Sequence, residues 1–397
     1  MNARFFMSNR QRLQQSLVPG VVVIAGHTAM QRSNDTSTFE QEANFWYLTG
    51  IEAADWRLII EGKKSWLVAP DIDEIHRVFE GGLSPDEAKK ISGVNGVFTH
   101  NEAKNLLDTL AKKHQVVATI GKDLRAKHYN FALNPAPVLL LRELKKRFDE
   151  VYDCRLELTK LRAIKQPEEI KAIKHAIQLT VGAFELVKAN TSRYQYEYQV
   201  EADFTNIFRG SGAKGHAYDP IVASGKNACT LHYIQNQDFV KPEELLLIDI
   251  GARVQGYAAD ITRTYAIATT PTDRQKAVHG AVESAHKEII GLLKPGLSVV
   301  EYQKKVDKIM KSKLEQLGLL KKPEDYRKYF PHAISHGLGI DVHDALGRPD
   351  TFQEGMVLTV EPGIYIPEEG IGVRIEDDIL ITKTGHENLS AALPTSL

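Results

Sequence analysis

LLLIDIGARVQGYAADITRT, residues 245–264, decides how this chain folds. Its first four residues, all apolar, read as a buried strand that delivers Asp249, and glycines at 251 and 256 bracket a turn that returns a second segment carrying Asp260. The stretch is a hairpin with two carboxylates. Side chains alternate faces along a strand, so the pairing register decides whether Asp249 and Asp260 converge. A convergent pair in so apolar a setting has to be neutralised, and a metal ion is the usual way. The stretch alone equally allows a plainer reading, one Asp exposed in a turn and the other capping the next element.

Outward from the hairpin the chain repeats its grammar. On the N-terminal side, Gln166-Pro167-Glu168-Glu169 puts proline in a first helical turn with acids behind it, opening a long helix to about residue 188. A second helix over about 196–209 and a strand at 218–223 come next. On the C-terminal side, a helix runs from Thr272 to about 293 and is stopped by Pro295-Gly296. Another helix spans 298–317, and an apolar strand region rich in His and Glu spans 333–382. Two helices then strands, twice over, is a repeat of elements without visible identity of sequence.

That second strand region holds three more chemically notable residues: His336 in Ser-His-Gly-Leu-Gly, Glu361 in Val-Glu-Pro-Gly-Ile-Tyr and Glu376 in Arg-Ile-Glu-Asp-Asp. Each is expected in or beside an apolar strand, with Glu361 at a strand end where Pro362-Gly363 turns the chain away. Any one of them alone reads as the satisfied partner of a nearby Arg or backbone amide. Two Asp, one His and two Glu spread over two matched halves read together as a binuclear metal site. Four carboxylates and one imidazole suit Mn, Co or Zn, and mononuclear zinc would need fewer acids. A water held between two such ions loses a proton near neutral pH while the ions polarise a carbonyl, so hydrolysis is the expected reaction.

The first part of the chain reads as an α/β unit. Helices are expected at about 10–17, at 39–48 ending on Gly50, and at 137–147, with strands at 21–25, 56–60, 65–68 and 116–120. The aromatic run Asn44-Phe45-Trp46-Tyr47 is core by its pattern, with Trp46 also open to a role at a binding surface. The grammar changes between 161 and 167, which gives an N-terminal α/β domain over 1–157 and a catalytic domain over 158–397. The 397 residues suffice for two cores. Fifty basic against 51 acidic residues, without a dense basic run, argue against nucleic acid or an anionic membrane surface and for small or peptide partners. The two cysteines, Cys154 and Cys229, support neither a disulfide framework nor a thiolate site and fit a reducing compartment. With no signal-peptide core and no membrane-length apolar run, a soluble cytoplasmic protein is expected.

These residues carry a resemblance. Asp249 followed eleven positions on by Asp260 in Asp-Ile-Thr-Arg-Thr, then His336, Glu361 and Glu376 in their contexts, resembles the pita-bread metallopeptidases, the group of methionine aminopeptidase, aminopeptidase P and Xaa-Pro dipeptidase. The stretches 32–35 and 39–50, the latter ending Phe-Trp-Tyr-Leu-Thr-Gly, are similar to the N-terminal domain of the aminopeptidase P branch. The resemblance implies an α/β N-terminal domain followed by an α+β pita-bread domain of two pseudo-symmetric helix-helix-strand halves. It implies two divalent ions, most often Mn2+, with Asp260 and Glu376 bridging, Asp249 on one ion, and His336 and Glu361 on the other. It implies hydrolysis of an N-terminal Xaa-Pro bond by a metal-bridged hydroxide, with Glu361, His232, His332 and His343 taking part in the chemistry. His332 and His336, four residues apart, would share one side of either a strand or a helix.

Tyr218, Arg374 and His332 match positions that would receive the proline, and Arg374 is expected to pair also with Asp260 or Glu376. The polar loop with Asp35 would lie near the cleft of a neighbouring subunit in a homo-oligomer, dimer or tetramer. Two rivals share the fold: an Xaa-Pro dipeptidase, which also shares the metals and several histidines, and a non-catalytic pita-bread binding protein, whose kind has lost ligands. The complete ligand set speaks against the second.

Overall fold

The computed structural model describes residues 1–122, 126, 130–267 and 270–397. The chain divides into two units, Met1–Leu161 and Arg162–Leu397.

The first unit is built on a six-stranded sheet in the order Gly96–Phe98, Lys64–Val68, Arg57–Glu61, Val21–Ala25, Val116–Thr119, Glu150–Asp153. Val21–Ala25 is buried along its whole length, as its unbroken apolar run requires of a strand covered on both faces. It pairs antiparallel with Arg57–Glu61 and parallel with Val116–Thr119. Leu107 and Leu110 of helix His100–Lys113, with Leu140 and Leu144 of helix Pro135–Leu144, pack with Val21, Val23 and Val117. Helix Ala3–Ser16, capped by Asn2, contributes Phe5 and Phe6, which meet Tyr47 and Trp46 edge to face. Trp46 is core. Gly50, at φ +71, ends helix Ala43–Thr49 as expected, and a Cβ there would strike the Phe6 ring at 2.4 Å.

Three helices of this unit, Glu74–Glu80, Pro85–Ser92 and His100–Lys113, lie where the sequence reading assigns nothing. Two of them open on capping boxes, Ser84 with Glu87 and Thr99 with Glu102, a signal that the sequence does contain.

The second unit follows the repeated grammar. Helices Pro167–Lys188 and Glu197–Gly210 precede the sheet Ile221–Ser224, Leu245–Asp249, Thr262–Ala266. Helices Asp273–Ile290 and Val299–Gln316 precede the sheet Val357–Val360, Asp377–Ile381, His386–Asn388 and the hairpin Gly363–Ile366 with Ile371–Arg374. The apolar stripes of the second helix pair, among them Val278, Val282, Ile289, Val306 and Met310, bury against Leu358, Ile364, Val373 and Ile379. Among the described residues no helix is long and apolar enough to cross a membrane.

The opening stretch is more elaborate than one hairpin. Leu245–Asp249 pairs with Thr262–Ala266, Asp249 opposite Thr262. Between them Ala252–Val254 folds onto Tyr257–Ala258 through Gln255 and Gly256, both at positive φ, as a two-residue hairpin turn demands. Ala252–Val254 also pairs with Gly215–His216, which puts this inner hairpin in a different sheet. The expected strand region 333–382 is strand only from Val357 on. Residues 333–356 are irregular apart from isolated bridges such as Gly337 with Asp344, so His336 lies on a loop and shares neither a strand nor a helix with His332.

Candidate metal centre

Each carboxylate of the centre is set by a backbone contact. Asp249 is the last residue of its strand, and the next turn is so tight that a Cβ on Gly251 would lie 1.7 Å from the Ala259 carbonyl oxygen. Asp260 comes after the inner hairpin, and its N–H donates to Asp378 Oδ2 at 3.1 Å. Glu361 leaves strand Val357–Val360, its N–H donating to the Ile334 carbonyl. The Glu376 N–H donates to the Thr262 carbonyl, joining the two halves of the unit, and Thr262 Oγ1 returns a 2.6 Å hydrogen bond to Glu376 Oε2. His336 donates its backbone N–H to Thr359 Oγ1 and accepts from the Thr359 N–H. Its Nδ1 donates to the Gly337 carbonyl, which leaves Nε2 facing Asp260 Oδ2 at 3.3 Å and Glu361 Oε1 at 3.6 Å.

One ligand atom each from Asp260, His336 and Glu376 lies within 4.8 Å of the others. Glu361 adjoins them through His336, whereas Asp249 is taken up by other partners: Oδ1 accepts from the Tyr218 hydroxyl at 2.6 Å and Oδ2 pairs with Arg374 at 2.5 Å. The expected pairing of Arg374 with Asp260 or Glu376 is therefore corrected. Arg374, opposite Gly363 at the open end of the hairpin Gly363–Ile366 with Ile371–Arg374, instead gives its guanidinium to Asp249, with further hydrogen bonds to Thr262 Oγ1 and the Tyr365 hydroxyl.

The electrostatics are those of crowded negative charge. Burial raises the Asp249 carboxyl above its ordinary value, with Arg374 pulling it back and Asp260 pushing it further. Burial carries Glu361 up to about 7, against His336 and Arg374, which pull the other way. Burial and then Asp260, Glu361 and Asp249 raise Glu376 well above the usual range. Burial disfavours the charged His336, but the hydrogen bond to Asp260 and the charges of Asp260 and Glu361 outweigh it and lift the imidazole to about 9. Asp378, fully buried beneath Asp260, is likewise raised by burial and by its acidic neighbours, and its Oδ1 has no hydrogen-bond partner. Acids this crowded, with one guanidinium among them and one imidazole aimed inward, are the donor set of hard divalent cations, and such ions would supply the missing positive charge.

The centre floors a cavity of about 300 Å³. Tyr218, His232, His332, His343 and Arg374 all line it, so these five predicted residues and the five acid and imidazole groups share one site. The His343 ring stands edge-on to His336 at 4.5 Å. His332 faces the Tyr365 hydroxyl at 2.9 Å, and burial with the Arg374 charge lowers it to about 3, a neutral imidazole. His232 is exposed at the rim, beside Leu231 and Ile234. Asp35 belongs to the first unit, on the exposed two-strand ribbon Gln31–Arg32 with Asp35–Thr36, where its Oδ1 accepts from the Thr36 N–H. Sequence reasoning missed Tyr365, Thr262, Thr359 and Asp378. All but Thr359 stand in motifs quoted for their neighbours, and no local pattern marks an oxygen that reaches across a sheet.

Residues 171–383 match the profile of metallopeptidase family M24, and residues 6–118 match the aminopeptidase P N-terminal domain. An Xaa-Pro aminopeptidase of Haemophilus influenzae is 31% identical over 99% of this chain and 95% of its own length. An Xaa-Pro aminopeptidase of Escherichia coli is 31% identical over 98% and 94%. The solved structure of E. coli aminopeptidase P with the inhibitor Pro-Leu superposes with a TM-score of 0.88 at 32% identity, covering all of this chain and 96% of that one.

Proposed function

The chain belongs to metallopeptidase family M24, with an aminopeptidase P N-terminal domain before a pita-bread catalytic domain, and on that premise we propose that it releases the first residue from peptides with proline second. The observation that carries the reading is the convergence of Asp260, His336 and Glu376 within 4.8 Å in the lining of a cavity of about 300 Å³, with Glu361 beside them.

In this reading Asp249, Asp260, His336, Glu361 and Glu376 would together hold two divalent ions. Manganese is the first ion to test, with cobalt and zinc as alternatives. Bound there, the ions would acidify a water and polarise the scissile carbonyl. The chain's own residues do the rest. Glu361 takes a proton from the attacking water and returns it to the proline nitrogen, which leaves as an amine and cannot depart without one. His343 and His232 donate to the oxygen on which negative charge develops, where fixed donors outperform water. The neutral His332, held by Tyr365, packs with Tyr218 and Arg374 around the proline ring. Proline suits such a pocket because its amide has no N–H for a peptidase to grip, so shape replaces that hydrogen bond.

The reading extends to a homo-oligomer, dimer or tetramer, working in the cytoplasm, with Asp35 near the cleft of a neighbouring subunit. The test is a rate comparison on Xaa-Pro-Xaa, Xaa-Pro and Xaa-Ala-Xaa peptides with manganese-loaded protein, alongside its mass in solution and the Asp35→Ala variant. Cleavage of the first peptide class ahead of the others is expected. Activity confined to Xaa-Pro dipeptides in a monomer would replace this reading with the dipeptidase.

A further inference from the structure

Leu231, His232 and Ile234 form one wall of the cavity, yet they belong to residues 230–238, which make neither helix nor strand. A wall that has to hold a substrate and lacks a ladder needs other ties. Asn236 supplies three, to Val222, Glu201 and Pro220, and two more, from Tyr233 and Asp238, run to one buried side chain outside the metal cluster.

Glu197 opens helix Glu197–Gly210 and has no exposed surface. Its Oε1 accepts from the Ser224 N–H at 2.7 Å, the Ser224 hydroxyl at 2.8 Å and Asn227 Nδ2 at 3.1 Å. Its Oε2 accepts from the Tyr233 hydroxyl at 2.8 Å and the Asp238 N–H at 3.0 Å. The Glu197 N–H donates in turn to the Asp238 carbonyl at 3.0 Å, so helix and loop are stapled in both directions. All five donors to the carboxylate are neutral groups, and a buried carboxylate among neutral donors is tolerable only when its oxygens are saturated. The partners flank the wall on both sides, Ser224 and Asn227 before it and Asp238 after it, while Tyr233 lies next to His232 itself. Strands Leu245–Asp249 and Val357–Val360, which lead to the candidate ligands Asp249 and Glu361, are not among these partners.

We propose that Glu197 is a positioning residue: its carboxylate holds the loop that carries Leu231, His232 and Ile234 against the cavity and so aligns a bound peptide with the metal cluster. The proposal rests on the aminopeptidase reading for its consequence in turnover, and on the hydrogen bonds alone for its consequence in the loop. An amide at 197 keeps the shape but turns one acceptor into a donor that faces donors.

Glu197→Gln, with Tyr233→Phe as the milder variant, is compared with native protein by hydrogen exchange, manganese stoichiometry and peptide kinetics. Exchange is expected to rise over 230–239 while the two ligand-bearing strands stay protected and the metal content is unchanged. On an Xaa-Pro-Xaa peptide kcat/KM is expected to fall roughly ten- to a hundredfold, the scale of a misplaced substrate contact. In a His232→Ala background Glu197→Gln should add little further loss, because the two act through one wall.

Unchanged exchange over 230–239, or losses that simply add to that of His232→Ala, would overturn the proposal. If Glu197→Gln does not fold, Tyr233→Phe, which deletes a single loop donor, decides by the same readouts. If native protein cleaves no Xaa-Pro-Xaa peptide, the aminopeptidase reading fails, and the exchange comparison still decides whether Glu197 holds the loop.

Discussion

Replacing Arg374 with methionine probes the charge balance of the centre most directly. The guanidinium is buried and makes three hydrogen bonds, to Asp249 at 2.5 Å, to the Tyr365 hydroxyl at 2.9 Å and to Thr262 Oγ1 at 3.2 Å. Methionine fills most of the stem and removes the charge, leaving Asp249 among acids that already repel it. Breaking a buried pair from one side costs about 3–5 kcal/mol. For a unit of this size each kcal/mol lowers the melting temperature by about 2–4 °C, so metal-free Arg374→Met should melt roughly 6–20 °C below metal-free native protein. Bound manganese would compensate Asp249 in place of the guanidinium, and the guanidinium itself opposes a second cation nearby. The deficit should therefore shrink in manganese, and the variant should bind the ion at least as tightly as native protein while losing turnover. Calorimetric melts of both proteins with and without manganese, together with a manganese titration, make the measurement. Equal deficits in the two states, or weaker manganese binding, would refute the idea that Arg374 stands in for positive charge at this site.

The metal-free protein should lose stability as pH rises from about 6.5 to 9. Glu361, Glu376 and Asp378 hold protons longer folded than unfolded, and His336, raised to about 9, contributes stability that is present below its unfolded value and lost as pH rises through 9. The folded state thus binds more protons over this window, whereas the buried His332 and His286, lowered to about 3 and about 4 chiefly by burial, act only below it. Manganese should flatten the slope and release protons on binding, as melts across pH and titration in two buffers will show. Glu376→Ala should abolish turnover and reduce manganese content at a near-native circular dichroism spectrum, while His343→Ala should keep its manganese and lose turnover roughly a hundredfold. Near-native rates in either variant would remove that residue from the mechanism. Gly251→Ala forces a methyl group onto the Ala259 carbonyl oxygen, so it should cost more stability than Gly280→Ala, where a Cβ meets nothing within 4 Å. Equal melting temperatures would show that the turn yields freely.

The kind of chemistry and the plan of the fold are legible in the order of amino acids. Asp249, Asp260, His336, Glu361 and Glu376 stand out because each lies at the edge of an apolar run, where a charged group is conspicuous, and because their types together admit few uses. The doubled helix-helix-strand order is legible because helix starts such as Gln166-Pro167 and Thr272 are local signals. Which oxygen faces which is a matter of packing. Arg374 meets Asp249, 125 residues away, because two hairpins from opposite halves bring their ends together, and no periodicity encodes that approach. Residues 333–356 look like strand from their apolar content, yet they run as a loop whose shape lets both His336 and His343 reach the cavity. Tyr365 and Asp378 become visible only in the folded chain, since a side chain takes its role in a site from the partners that packing brings within about 3 Å of it, and those partners, His332 and Asp260 among them, lie far off in sequence.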